Sequence, residues 1–215
     1  MNRLLSRPLR LPATPRRLTK AGIHLLATGY LVALFYWGAT DNLGADPVKA
    51  LLHSTGTWAI NLLLISLSIS PLAKWLPFPD LMRFRRLVGL YSFTYAMVHF
   101  FSFCAFELQF DWTLIASEIV ERPYITVGFA ALLILSLLAA TSTTPIQRRM
   151  GPAWQRLHNW VYAAALLALL HYTWSLKTVW EEPVFYWLIA AGLLYLRRDK
   201  LLWVVRKKFK KNLAR

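Results

Sequence analysis

One cysteine, Cys104, stands in a chain of 215 residues. A disulfide framework and a thiolate-held metal cluster are thereby excluded. Acids are also scarce, with 10 Asp and Glu against 25 Lys and Arg and a net charge of +15. G-x-G-x-x-G and Walker patterns are absent, so the chain carries no nucleotide domain of its own. No internal repeat is apparent. No segment between apolar runs is long enough to fold alone; the longest, around 106–123, contains an amphipathic stretch at 112–120 suited to a membrane surface. Apolar residues are abundant instead: 57% of the chain, with a mean hydropathy of +0.41. A soluble chain this basic would suggest nucleic-acid binding. Here the cations sit in short blocks between long apolar runs, which is the pattern of membrane topology.

A membrane span needs ~20 mostly apolar residues, and only a helix satisfies its own backbone in lipid. Six segments qualify: 21–39, 56–75, 87–107, 124–141, 159–176 and 184–196. The expected fold is therefore all-α, a polytopic six-helix transmembrane bundle. It divides into a basic arm (1–20), the six-helix domain (21–196) and a basic tail (197–215). The first apolar run lacks a small-x-small cleavage site and is followed by five more, which favours an anchor over a signal peptide. Six Lys and Arg lie in the arm, four in the loop after the second span (Lys74, Arg83, Arg85, Arg86), three after the fourth (Arg148, Arg149, Arg156) and nine in the tail. Only Lys49, Arg122 and Lys177 fall on the opposite side, together with eight of the ten acids. The positive-inside rule places both termini in the cytoplasm.

Five histidines are present: His24, His53, His99, His158 and His171. An ionisable group inside a span is a functional-site hypothesis by default. His99 and His171 each lie ~12 residues, or ~18 Å, into outward-running spans. Two imidazoles at one depth on different helices meet the requirement for a b-type haem held between helices by axial ligands. The alternative is that each histidine hydrogen-bonds a neighbouring helix. His158, thirteen residues before His171, stands ~20 Å away but ~140° out of phase on an unbroken helix, so both serve one face only if the helix bends. No second histidine on the third span partners it; His24, near the start of the first span, is a substitute candidate. His53 reads as a loop residue. Arg83, Arg85 and Arg86 could bind haem propionates or a flavin phosphate, or serve topology alone. Most of the many tryptophans read as interfacial belt residues.

Five stretches carry a resemblance when taken together: LGADPVKALLHSTG (43–56), RFRRLVGLYSFTYAMVH (83–99), ERPYITVG (121–128), TSTTPIQRRMGPAWQRLHNWVY (141–162) and HYTWSLK (171–177). In them the chain resembles the ferric-reductase-like transmembrane superfamily. Within it the chain is similar to the haem-binding membrane subunits of bacterial periplasmic methionine sulfoxide reductase systems (the MsrQ or YedZ family). The resemblance implies electron transfer through haem b, one or two per chain. Electrons would come from the quinone pool or a cytoplasmic flavin reductase. They would pass to a periplasmic molybdopterin enzyme that repairs oxidised proteins; this chain would not hold the site for the sulfoxide. The resemblance further implies flavin mononucleotide as a cofactor and His99, His158 and His171 as the haem ligands. The single histidine on the third span departs from the larger NADPH oxidases. Their flavin and nucleotide domain has no counterpart after residue 196, so electrons are expected from a separate donor. Two alternatives are a stand-alone ferric or haem reductase and a small proton-coupled transporter. Against the transporter, paired intramembrane acids and an inverted repeat are lacking. A pure membrane anchor for a partner enzyme is a further possibility.

Overall fold

The computed structural model describes residues 11–76, 78–176 and 181–198, and every regular element among them is helical. Most of the basic arm, the tail from Asp199 onward, and Lys177 and Trp180 lie outside the described residues. Among the described residues four helices are long and apolar enough to cross a membrane: Ala13–Ala39, Pro47–Trp75, Pro79–Glu107 and Pro123–Ala140. They correspond to the first four expected spans.

Helix α1 (Ala13–Ala39) buries only Leu34, and Leu25 and Leu26 are exposed. Such an outward face suits lipid contact. Polar bonds fix it to α3 (Met82–Ser102): Tyr95 Oη donates to the Ala27 carbonyl (2.8 Å), and Tyr91 Oη meets His24 Nδ1 (2.7 Å) and Thr28 Oγ1 (3.1 Å).

Helix α2 (Pro47–Trp75) is the central element, with Leu51, Thr55, Ala59, Ile60, Leu63, Leu64 and Leu67 buried along it. It begins nine residues before the apolar run at 56–75. Asp46 accepts from the Lys49 amide (3.0 Å) as N-cap and Pro47 takes the first turn, where its missing N–H costs nothing. His53 is consequently helical rather than in a loop, a correction to the sequence reading, and its ring lies 6.3 Å from that of Tyr172.

Helix α3 packs most extensively on α2. Small residues let the backbones approach: Ser92 Oγ donates to the Ala59 carbonyl (2.8 Å) and Ser66 Oγ to the Arg85 carbonyl (3.1 Å). A π turn, Phe103–Glu107, ends α3, and the chain turns into α4 (Trp112–Glu121). This is the amphipathic stretch expected at 112–120; it exposes Trp112 and Val120 and buries Ile115 against Cys104 and Leu108. Asp111 caps it, and the Thr113 hydroxyl, then the Leu114 and Thr113 amides, hold its carboxyl below the usual range.

The second extensive pairing joins α5 (Pro123–Ala140) to α8 (Val161–Ser175). Between them lie α6 (Thr144–Met150) and α7 (Pro152–His158), separated by Gly151 at φ +53°, ψ −129°, a conformation that favours glycine. The expected span at 159–176 corresponds to α8, which a turn at Asn159–Trp160 separates from α7. Helix α9 (Glu181–Tyr195) completes the core: Tyr172 Oη donates to Glu182 (2.7 Å) and Trp187 Nε1 to Thr173 Oγ1 (2.9 Å). Helices α8 and α9 have 15 residues each, or ~22 Å, less than a full crossing by themselves.

Asp80 ties the helix ends together. It is 5% exposed, pairs with Arg83 (2.7 Å) and accepts from the Leu11 amide (2.7 Å). Asp80→Asn should destabilise the detergent-solubilised protein by about 1–3 kcal/mol, since hydrogen bonds to a charged group are lost. Thermal unfolding beside the wild type checks this; an unchanged midpoint would show that the carboxylate contributes nothing.

Candidate functional site

His99, near the end of α3, and His171, in the second half of α8, come together with ring centroids 6.1 Å apart and planes at 78°. Each is held by a different helix. His99 Nδ1 lies 3.0 Å from the Leu52 carbonyl on α2, and His171 Nδ1 lies 2.7 Å from the Tyr124 carbonyl on α5. A carbonyl oxygen only accepts, so both contacts require the Nδ1–H tautomer. Each ring then keeps its lone pair on Nε2, the ligating atom left when the other nitrogen is engaged by a second shell.

Two glycines make these contacts possible. A Cβ on Gly56 would stand 3.1 Å from His99 Nδ1, and one on Gly128 would stand 2.6 Å from His171 Nδ1 and 2.9 Å from its Cγ. Each imidazole thus lies directly against the backbone of the partner helix. Thr55 Oγ1 is 3.5 Å from His99 Nδ1, and the Tyr124 ring stacks on His171 at 6.0 Å and 22°.

The two halves share one register. Leu52 precedes His99 by 47 residues, and Tyr124 precedes His171 by 47. Gly56 and Gly128 each follow the accepting carbonyl by four positions, and the two sets are 72 residues apart along the chain. The repeat not apparent in the sequence is therefore present as geometry. Its signal was the equal spacing of Gly56–His99 and Gly128–His171. The same shift aligns Arg86 with His158, so the first half carries arginine where the second carries histidine.

His158 is set apart from the pair. It ends α7, stacks on Trp154 (3.9 Å between centroids, 23°), and places Nε2 3.1 Å from Thr141 Oγ1. The Thr141 hydroxyl proton is given to the Leu137 carbonyl (2.7 Å), so Oγ1 accepts from His158 Nε2–H. This is the opposite tautomer to that of His99 and His171. Burial first, and the Arg85 cation second, hold the His158 imidazole below its ordinary range. His24 is bonded to Tyr91, and no ring contact joins it to His158 among the described residues.

The three arginines do not converge. Arg83 pairs with Asp80, Arg86 is exposed, and Arg85 turns inward within electrostatic reach of His158, Tyr162 and Arg197. No group of three or more His, Cys, Asp or Glu suited to a metal ion occurs among the described residues. The donor set is the two-imidazole pair. A metal–imidazole bond is ~2 Å, so two imidazoles ligating one metal from opposite sides stand roughly 6 Å apart centre to centre. The observed separation, the freed Nε2 atoms and the glycine seats fit a metal that His99 and His171 would hold jointly between the two helix pairs.

The fold and site thus define an all-helical protein with membrane-spanning character and a paired-imidazole centre between its helices. The model of the ferric reductase like transmembrane component family matches residues 55–169, and the chain belongs to that family and, within it, to the MsrQ group. It is 46% identical over 182 residues to the protein-methionine-sulfoxide reductase heme-binding subunit MsrQ of Klebsiella pneumoniae, covering 84% of this chain and 90% of that one. The proteins of the same name from Yersinia pseudotuberculosis and Yersinia pestis are 45% identical over 192 residues, or 89% of this chain and 94% and 93% of theirs. No solved structure matches.

Proposed function

We propose that this chain is a membrane electron-transfer subunit carrying haem b between His99 and His171. The observation that carries the reading is the pair of Nδ1–H bonds to Leu52 and Tyr124, which leaves two Nε2 lone pairs on rings 6.1 Å apart. Bound there, haem would supply a one-electron carrier whose potential depends on its ligands and their hydrogen bonds. The chain's own residues fix the two imidazoles, set their tautomer and surround them with packed helices. The names of the relatives, heme-binding subunits of protein-methionine-sulfoxide reductases, support the same role here.

The reading extends to topology and partners. Six spans lie in a cytoplasmic membrane with both termini inside, α8 and α9 serving as the fifth and sixth. Electrons enter from the quinone pool or a cytoplasmic flavin reductase. They leave to a periplasmic molybdopterin methionine sulfoxide reductase. His158 is the third haem-associated residue, and it must release Thr141 to ligate through Nε2. Arg83, Arg85 and Arg86 line the cytoplasmic end, where propionates or the phosphate of flavin mononucleotide would meet guanidinium groups.

The test is spectral. Purified from cells with ample haem supply, the protein should show a Soret band that shifts on dithionite reduction and transfer electrons to its reductase partner. A haem-free protein that still supports the partner would sink the proposal.

A further inference from the structure

Among the described residues, two buried polar side-chain atoms have no hydrogen-bond partner: Arg197 Nε and Ser70 Oγ. They lie at the same end of the molecule. Arg197, just beyond α9, crosses to α2 and donates through Nη2 to the Leu67 carbonyl (2.8 Å). Ser70 stands three residues after Leu67, on the same face of α2. Arg197 also donates through Nη1 to Tyr162 Oη, and its guanidinium sits 5.4 Å over the Tyr162 ring.

A second cation lies nearby. Arg85, half-buried on α3, is anchored beside Leu67 by the bond from Ser66 Oγ to its carbonyl (3.1 Å); it interacts unfavourably with Arg197, and its side chain has no hydrogen bond or ion pair among the described residues. The only ion pairs among the described residues are Arg83–Asp80 and Arg122–Glu118. Two partly buried guanidinium groups without a carboxylate are costly, because desolvation is not repaid by an opposite charge. Guanidinium forks and hydroxyls are the donors that recognise phosphate oxygens. On the membrane side the space between α2, α8 and α9 is apolar, lined by Leu64, Leu67, Leu166, Leu193 and Leu194.

We propose that Arg85, Arg197, Tyr162 and Ser70 form a phosphate-binding site between α2, α3, α8 and α9. In the proposed orientation it opens at the cytoplasmic face, where basic pockets between helices take acidic lipid headgroups. A soluble phosphate compound offers the same chemistry. The site rests on the proposed orientation and takes up Arg85, one of the arginines named above; it needs neither His99 nor His171, so its failure and the failure of the haem reading are distinguishable.

The experiment is a thermal melt of the purified full-length protein, followed by tryptophan fluorescence, in phosphate-free detergent at constant ionic strength. Inorganic phosphate is added in one arm and phosphatidylglycerol, against phosphatidylcholine, in the other. Without phosphate, Arg85→Gln should melt at or above the wild type, since it removes a repelling cation and no hydrogen bond. With phosphate or phosphatidylglycerol the wild type should rise and the order should reverse, the apparent affinity of Arg85→Gln being at least about tenfold weaker. Arg197→Gln should lose the response as well; should it fail to fold because its Leu67 bond is lost, Arg85→Gln still decides. A rise with phosphatidylglycerol alone identifies a lipid, and a rise with inorganic phosphate identifies a soluble ligand. No wild-type rise in either arm, or an equal rise in Arg85→Gln, would overturn the site.

Discussion

Gly128→Ala should release most of the haem from a protein that still folds. The added methyl would lie 2.6 Å from His171 Nδ1, 2.9 Å from Cγ and 3.0 Å from Cε1, closer than van der Waals contact allows. Three ring atoms are in conflict, so no single rotation relieves them. Nor can the ring swing away without losing its 2.7 Å bond to the Tyr124 carbonyl, which sets its tautomer. Disturbing such a second-shell contact costs about 10- to 100-fold in metal affinity. Gly56→Ala is the internal control. There the methyl would stand 3.1–3.2 Å from His99, and a shift of a few tenths of an ångström accommodates it. Haem-to-protein ratios and redox potentials of the two variants should therefore be graded, with Gly128→Ala far the weaker. Equal and full occupancy with unchanged potentials would show that the glycine seats do not position the imidazoles.

That seat illustrates which parts of the protein were legible in its sequence. Depth counting brought His99 and His171 together because rise per residue is a property of any helix. Facing direction was not legible, since it depends on how α2 and α5 pack; the carbonyls of Leu52 and Tyr124 carry no side-chain signal at all. The glycines did carry one, an equal 43-residue spacing to each histidine, but only the paired contacts give it meaning. Hydropathy located the four long apolar helices from their apolar stretches. It missed the starts of α1 and α2, because helix formation continues into polar interface. For α2 the capping pair Asp46–Pro47 was a readable start signal.

The same contrast explains the remaining histidine and the tail. A bend between His158 and His171 is the condition for both to serve one face; the chain does turn at Asn159–Trp160, yet His158 bonds to Thr141 and stands apart from the His99–His171 pair. Thr141 could not be foreseen as the partner of His158, because the two meet only through the turn formed by α6 and α7. Arg197 was counted as a tail charge. Its position over Tyr162 is tertiary, and a run of basic residues does not distinguish the one that folds inward.

His99→Ala and His171→Ala should each abolish the haem proposed to lie between them, and the double variant should be no worse than either single one. Each imidazole is held by its own helix pair through its own carbonyl, so neither side needs the other to keep its position. Under the proposed assignment, removing one leaves a single imidazole donor of the two, so the losses should be non-additive. His158→Ala separates the two stoichiometries. Its Nε2 is already committed to Thr141, and it lies thirteen residues from His171 across a helix break. If the shared haem is the only one, His158→Ala keeps a ratio of about one haem per chain and a single midpoint in redox titration. If His158 ligates a second haem, the wild type shows two midpoints and the variant loses one of them while His99 and His171 retain theirs. Full haem content in both His99→Ala and His171→Ala would contradict the assignment outright, because no third described residue is placed to replace either ligand.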